Sequence, residues 1–281
     1  MTGTLLSLGH GYSAKALATL LLSRGWTIIG TTRSAEKAKT LRATGVDPRT
    51  VPGDNLTADL ARATHLLISA SPDENGDPFL PLIFDALKTR KPGWIGYLST
   101  TGVYGDHQGG WVDEDTPCTP GNTRGKWRAR AEQQWLDHGA HIFRLAGIYG
   151  PGRGPFAKVR NGTARRIIKP NQVFGRIHVD DIAQTVAASI AAPNPGRIYN
   201  VCDDEPAPPE DVLGYAAELL GLPLPPEEDF ETAEMTPMAR SFYAESRRVR
   251  SNRIKDELGV TLHYPDYRAG LKALLAAETT A

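Results

Sequence analysis

The chain has 281 residues, 40% of them hydrophobic, and its 32 basic and 32 acidic side chains give a formal net charge of zero. That length suits one large α/β domain or a domain with an added lobe, and the charge balance argues against a dedicated nucleic-acid binder, whose affinity needs a positive surface. Two cysteines, Cys118 and Cys202, with no C-x-x-C pair, exclude a disulfide framework, and the absence of a basic leader or an apolar run near ~20 residues predicts a cytoplasmic protein off the membrane.

An apolar run from Thr4 to Leu8 ends in Gly9-x-Gly11-x-x-Ala14. Ala16, Leu17, Leu20 and Leu21 then follow at helical spacing, Gly25 stops the helix, and a second β-rich run spans 26–32. Strand, glycine turn, helix and strand make the βαβ unit that holds a dinucleotide. Gly9 permits the tight turn, Gly11 lets backbone approach a pyrophosphate, and the small Ala14 lets the helix pack close. Gly9, Gly11, Tyr12, Ser13 and Ala14 are therefore candidate cofactor residues, with the phosphates on free N–H groups at the helix N-terminus. The second strand ends in Thr31, Thr32, Arg33 and Ser34, with no carboxylate before Glu36. NAD-binding sites usually place an acidic residue there for the ribose hydroxyls, whereas a guanidinium beside hydroxyls suits a 2′-phosphate. The expected cofactor is NADP through Arg33, with NAD as the alternative.

A helix over 35–43 stopped by Gly45, the short run Thr50-Val-Pro-Gly before Asp54, and a helix over 56–63 continue the pattern. His65 to Pro72 reads as a strand ending in small residues, of which Ser69 and Ala70 are also candidate cofactor residues. A helix from Phe79 to Thr89 should start late because of Pro81, a strand runs over 94–98, and 105–121 reads as a long polar loop. Thr123 to His138 is a helix stopped by Gly139, followed by a strand over 142–145. Strands alternating with helices predict an α/β fold, a doubly wound parallel sheet.

Past Gly150 the pattern changes. Residues 151–177 hold a basic cluster of Arg160, Arg165, Arg166 and Lys169. An Ala-rich helix over 181–192 and a strand over 197–201 precede proline-punctuated helices at 210–220, 252–258 and 267–277. The division expected is a dinucleotide-binding domain of residues 1–150 and 178–202, with a substrate lobe of 151–177 and 203–281.

Three further stretches carry a family resemblance: Leu98-Ser-Thr100-Thr-Gly-Val103-Tyr104-Gly105, Arg144-Leu-Ala-Gly-Ile-Tyr149-Gly150-Pro-Gly152 and Arg176-Ile-His178-Val-Asp180-Asp181. With the glycine turn they resemble the extended short-chain dehydrogenases/reductases of the NAD-dependent epimerase/dehydratase type. The resemblance implies a Rossmann sheet of order 3-2-1-4-5-6-7, a small C-terminal substrate lobe, and Asp54 near the adenine. It implies a small-molecule substrate bound as in an oxidoreductase or epimerase, with Thr100 as the hydroxyl beside the reacting oxygen.

The family's Y-x-x-x-K departs here. One register puts Arg124 at the tyrosine and Arg128 at the lysine; another puts Asn122 at the tyrosine and keeps Lys126. No tyrosine in the chain has lysine four residues later. Arginine stays protonated and cannot act as a base, so Arg128 would bind ribose or phosphate and Arg124 would polarise a carbonyl. Thr101 and Gly102 replace acidic residues of the family's dehydratases, which disfavours sugar dehydration. The chain most resembles the atypical members with a degraded tetrad, and Asp77 best matches the Asp they carry on the fourth helix. Tyr104, His107, Asp106, Asp113 and Glu114 are substitute acid/base candidates, with packing or solvated roles as the simpler readings. Asp180 or Asp181 is expected to cap a helix starting at Ile182.

The run from Arg247 to Lys255 is a dense charge cluster, read as a solvated face or as a grip on an acidic or phosphate-bearing substrate. Trp127 and Trp135 on the long helix suit core packing or a homodimer contact. No metal is expected. Two functions stay open: an NADP-dependent oxidoreductase or epimerase-like enzyme, and a non-catalytic NADP-binding redox sensor or scaffold.

Overall fold

The computed structural model describes residues 2–280. The chain opens with β1 (Thr4–Leu8), α1 (Tyr12–Leu22), β2 (Thr27–Thr32), α2 (Ala35–Ala43) and β3 (Asp47–Thr50). Ser34 starts α2 by accepting the Lys37 N–H at 3.2 Å. Pro48 has no N–H to give a ladder, and β3 accordingly lies at the edge of the sheet. Next come α3 (Thr57–Arg62), β4 (His65–Ile68), α4 (Leu80–Thr89) and β5 (Trp94–Thr100). Pro81 does not delay α4. It occupies the first turn, where an N–H would lack a partner anyway. Asp77 supplies the start signal instead, accepting the N–H groups of Phe79 and Leu80, each at 2.9 Å.

The expected 105–121 loop contains a short strand, β6 (Trp111–Val112), before α5 (Thr123–Leu136), β7 (His141–Leu145) and β8 (Gly147–Tyr149). Then follow α6 (Phe156–Arg160), β9 (Arg166–Ile168), β10 (Arg176–His178), α7 (Val179–Ala191) and β11 (Ile198–Val201). The chain closes with α8 (Pro209–Leu220), β12 (Glu227–Asp229), α9 (Pro237–Phe242), β13 (Arg248–Val249), α10 (Asn252–Leu258) and α11 (Tyr267–Thr280).

Seven parallel strands form one sheet in the order β3-β2-β1-β4-β5-β7-β11. Numbered by their sequence within the sheet, that is the expected 3-2-1-4-5-6-7. The direction of winding reverses between β1 and β4, and ligands of such sheets lie beyond the strand ends at that reversal. Helices cover both faces. Leu17 and Leu21 of α1 share one core with Ile182 and Val186 of α7. Leu60, Ile83, Leu87 and Trp135 of α3, α4 and α5 fill the other. A third, smaller core joins Phe156, Val212, Ala216, Tyr267 and Leu271 of α6, α8 and α11. Three two-stranded parallel ladders, β8 with β10, β9 with β12 and β6 with β13, tie the remaining segments.

The α7 expectation is corrected. The helix begins at Val179, not Ile182, and its N-cap is His178, whose Nδ1 accepts the Asp180 N–H at 3.2 Å. Asp180 lies inside the first turn, and the fully buried Asp181 accepts backbone N–H groups of His263 and Tyr264 at 2.7 and 3.1 Å. Among the described residues, no helix is long and apolar enough to cross a membrane.

Candidate functional site

The turn between β1 and α1 is tightly constrained. Gly9 has φ +77°, and a Cβ there would lie 2.7 Å from the Ala70 nitrogen. Only glycine fits both the left-handed backbone and the contact. The Gly9 N–H donates to Thr31 Oγ1 at 2.7 Å, and the Ser69 hydroxyl donates to Gly9 O at 2.6 Å. The turn is thus stapled to the ends of β2 and β4. A Cβ at Gly11 would meet only Gly9 O at 3.6 Å, so that side of the turn stays open. No side chain caps α1, which leaves its first N–H groups to an outside acceptor. His10 turns inward, its ring over Gly30 and its Nδ1 3.0 Å from Ser7 Oγ. Burial pulls its pKa down to about 4, so it is neutral near pH 7.

Ser13 and Ala14 are buried in the first turn of α1. The Tyr12 hydroxyl donates to Pro151 O at 2.9 Å and holds the Gly150 loop against the turn. Gly9, Gly11, Tyr12, Ser69 and Ala70 therefore converge on one place. Arg33 and Asp54 lie further out, both exposed. Arg33 has no side-chain partner among the described residues, and Asp54 accepts the Thr50 N–H at 2.6 Å.

Arg128 joins the same cleft from α5. Its Nη1 donates to Ala70 O, Leu98 O and the Tyr97 hydroxyl at 3.3, 3.1 and 3.1 Å, and its Nη2 to Ser71 Oγ at 3.1 Å. The guanidinium clamps the ends of β4 and β5 together. Thr100 ends β5 and turns the chain into a 3₁₀ turn over 101–104 by accepting the Gly102 N–H at 3.1 Å. Its own hydroxyl proton remains free to donate. Arg247 stands beside this turn, donating to Gly105 O at 2.5 Å and pairing with Glu245 at 2.8 Å. Arg124 is exposed in the first turn of α5 with no side-chain partner among the described residues. Asn122 precedes that helix as its N-cap, accepting the Gly125 N–H at 2.9 Å, and Lys126 is exposed. Neither register sets a phenol beside Thr100.

Beneath Thr100 runs a buried polar network that sequence reasoning did not assign. The Ser99 hydroxyl donates to Glu132, and Glu132 pairs with Arg144 at 2.8 Å. Arg144 Nη1 donates to the Tyr104 hydroxyl at 3.0 Å, and that hydroxyl donates to Asn200 Oδ1 at 2.7 Å. The Asn200 N–H in turn donates to Glu114 at 2.8 Å. The available signal was Glu132 itself, an acid in the run Arg124, Lys126, Arg128, Arg130 on α5. Burial pushes Tyr104 up to about 12. Its hydroxyl serves packing and hydrogen bonding. His107 lies in the loop after the turn, near Tyr104 O at 3.2 Å.

Other expected charges are engaged. Arg248 donates to Gly109 O, Arg250 stacks on Trp111 at 4.9 Å, Arg253 pairs with Asp115 at 2.8 Å and Lys255 with Asp204 at 2.5 Å. The run 247–255 is thus a set of struts between segments, not a free solvated face. Trp135 is fully buried against Tyr97, whereas Trp127 is half-buried. Among the described residues no group of His, Cys, Asp and Glu side chains could hold a metal ion.

No family model matches the chain. It is 32% identical to protein YeeZ of Escherichia coli over 280 residues, covering 92% of this chain and 95% of that one. It is 29% identical over 181 residues, 57% of this chain and 58% of the relative, to a 3-diazoavenalumate denitrifying reductase of Streptomyces. A conserved protein of unknown function from Silicibacter pomeroyi superposes with a TM-score of 0.95 at 59% identity, covering 98% of this chain and 99% of that one. A candidate NAD-dependent epimerase/dehydratase from Methylobacillus flagellatus gives 0.77 at 28% identity over 99% of each chain. The fold is also that of a dTDP-glucose 4,6-dehydratase from Bacillus anthracis solved with NAD, at a TM-score of 0.78 and 17% identity over 100% of this chain and 97% of that one.

Proposed function

The chain belongs to the extended short-chain dehydrogenase/reductase family of the NAD-dependent epimerase/dehydratase type, and from that membership we propose that it is an NADP-dependent reductase of a small carbonyl or sugar-like substrate. The observation that carries the reading is the uncapped α1 behind the Gly9 turn, open on its Gly11 side and lacking any internal acceptor for its first N–H groups. Gly9, Gly11, Tyr12, Ser13 and Ala14 hold the pyrophosphate, Ser69 and Ala70 bound the cofactor, and Asp54 stands on the adenine side. Arg33, unpartnered among the described residues at the end of β2, takes the 2′-phosphate of NADP. A bound nicotinamide would supply the hydride.

The chain's own side chains orient the acceptor. Thr100 donates a hydrogen bond from its free hydroxyl to the substrate oxygen, and Arg124, exposed and unpartnered among the described residues, gives the cleft the positive charge that an acidic or phosphate-bearing substrate needs. Arg128 holds the strand ends that form the floor. Epimerisation needs a group that gives and takes a proton near neutral pH, and the cleft lacks the family phenol, while Tyr104 sits near 12. Reduction with a proton drawn from water needs no such group. The likeness to a relative named as a reductase supports the same choice. Trp127 on the half-buried face of α5 is the homodimer contact in this reading.

A second reading, a non-catalytic NADP-binding redox sensor, is favoured by Arg128, because the side chain at the lysine position is consumed by internal bonds. A sensor must bind the oxidised and reduced cofactor with different affinity, since equal affinity shifts nothing. Tryptophan fluorescence titrations with NADPH, NADP⁺, NADH and NAD⁺, followed by NADPH oxidation across a carbonyl panel, separate the two. The reductase reading expects both phosphorylated forms to bind about equally, about tenfold looser binding of NADPH and NADP⁺ but not of NADH or NAD⁺ in Arg33→Gln, and turnover lost in Thr100→Val. Tight cofactor binding with no turnover on any carbonyl overturns it. Binding of none of the four dinucleotides overturns both.

A further inference from the structure

The basic residues of 151–177 fall into two sets. Arg160 pairs with Glu278, Arg165 with Glu228 and Arg166 with Glu227, while Lys169 donates to Tyr243 O. Arg153 and Lys158 have no carboxylate partner among the described residues. Together with Arg176 they line a cavity of about 260 Å³ between the Gly150–Lys158 segment and the helices α8 and α11. Leu213 and Leu271 add apolar lining, and the Tyr267 ring lies beside Arg176. No carboxylate lines it.

Arg176 is fixed rather than neutralised. Its Nη1 donates to Phe174 O at 2.9 Å and Ala207 O at 3.0 Å, and its guanidinium lies 5.9 Å from the Tyr267 ring centroid. Asp203 is the acid packed behind it. Its Oδ1 accepts only the Arg176 backbone N–H, at 3.4 Å, and its buried Oδ2 has no partner. Burial pushes that carboxyl above the usual carboxylate range, and Asp203 is not among the residues that line the cavity. The cavity is therefore lined by three cations and by hydrocarbon, with no carboxylate among its lining residues.

We propose that this cavity binds a small organic phosphate monoester carrying an apolar ring or short chain, at a site separate from the dinucleotide turn. A dianionic phosphate matches forked guanidinium donors better than a point monoanion does, and the apolar lining gives the ester body a dry surface. The volume sets the size. It equals about nine waters at ~30 Å³ each, enough for one ring and its phosphate and far too little for a dinucleotide. The rim reaches the glycine turn through Arg153, whose guanidinium lies 5.6 Å from the Tyr12 ring centroid.

Isothermal titration of the full chain with phenyl phosphate, inorganic phosphate and hexanoate tests the proposal. Phenyl phosphate should bind saturably, at least tenfold tighter than the other two. Lys158→Gln, an exposed change that leaves the fold intact, should weaken it about tenfold, and Leu213→Asp should abolish it. Absence of saturable binding overturns the proposal, as does inorganic phosphate binding as tightly as the ester. Phenyl phosphate that binds Lys158→Gln as well as the parent occupies another place and also overturns it.

Discussion

Replacing Glu132 by Ala tests whether the network beneath Thr100 holds the floor of the cleft. Glu132 and Arg144 are 4% and 5% exposed at the side chain and pair at 2.8 Å. Burial alone would lower the Arg144 pKa, and the bonds to Glu132 reverse that; without Glu132 the side chain's intrinsic basicity still keeps it protonated near neutral pH, now with no counter-charge. The alanine leaves that charge buried and strips Ser99 of its acceptor. Breaking a buried pair from one side costs about 3–5 kcal/mol, a large share of the ~5–15 kcal/mol that holds a typical domain. Urea unfolding followed by circular dichroism should register that loss, and the melting temperature of a 281-residue chain should fall by about 5–9 °C. The double change Glu132→Leu with Arg144→Leu should recover most of it, because an apolar pair of similar volume carries no unpaired charge. A loss below about 1 kcal/mol in Glu132→Ala, or a double variant as unstable as the two single changes added together, refutes the reasoning.

His10 should make stability pH-dependent. Its folded pKa near 4 lies below the 6.5 of an unfolded histidine, so its contribution is complete above pH 6.5 and fades as the pH falls towards 4. The full span is about 3 kcal/mol, and urea midpoints of His10→Gln should show a flatter slope than the parent between those values. Asp77→Ala removes the acceptor of two N–H groups at the start of α4 and should lower stability by about 1–2 kcal/mol, read from the same denaturation curves. Tyr104→Phe loses the bonds to Arg144 and Asn200 and should destabilise by about 1–2 kcal/mol while sparing NADPH oxidation. A turnover loss above tenfold would make that phenol the missing acid.

Six of the seven strands of the sheet were readable because each has a local cause, whereas β3, Asp47-Pro-Arg-Thr50, carries no apolar run and was expected only as the short run from Thr50 to Gly53. Apolar runs of four to seven residues alternate with amphipathic helices and stop at Gly25, Gly45 and Gly139, so period and punctuation agree. The glycine turn was readable for the same reason, since a positive φ at Gly9 is a one-residue requirement. The ladders β8–β10, β9–β12 and β6–β13 escaped because strands of two or three residues show no alternation and their partners lie far along the chain. Residue types at the strand ends could be listed, but not their neighbours. Arg128 reads as a free cation until the carbonyls of Ala70 and Leu98 are seen around it, and Asp181 reads as a cap until the 263–264 backbone is seen across from it. The pairing of Glu132 with Arg144 spans a helix and the next strand, a distance that no short-range pattern encodes.

The β6–β13 ladder also sets an order of events during synthesis. Trp111 pairs in register with Arg248, about 140 residues later in the chain. At about 5–20 residues per second a ribosome takes roughly 7–30 s to cover that interval. β7 and β11 of the main sheet are made within that interval, so over its last stretch, from Val201 to Arg248, every strand of the sheet exists while β6 still waits with an open edge. The nascent chain therefore passes through a stage in which the nucleotide-binding sheet can assemble but the segment after Thr100 is untethered. The last thirty-odd residues close the cleft as well as the fold.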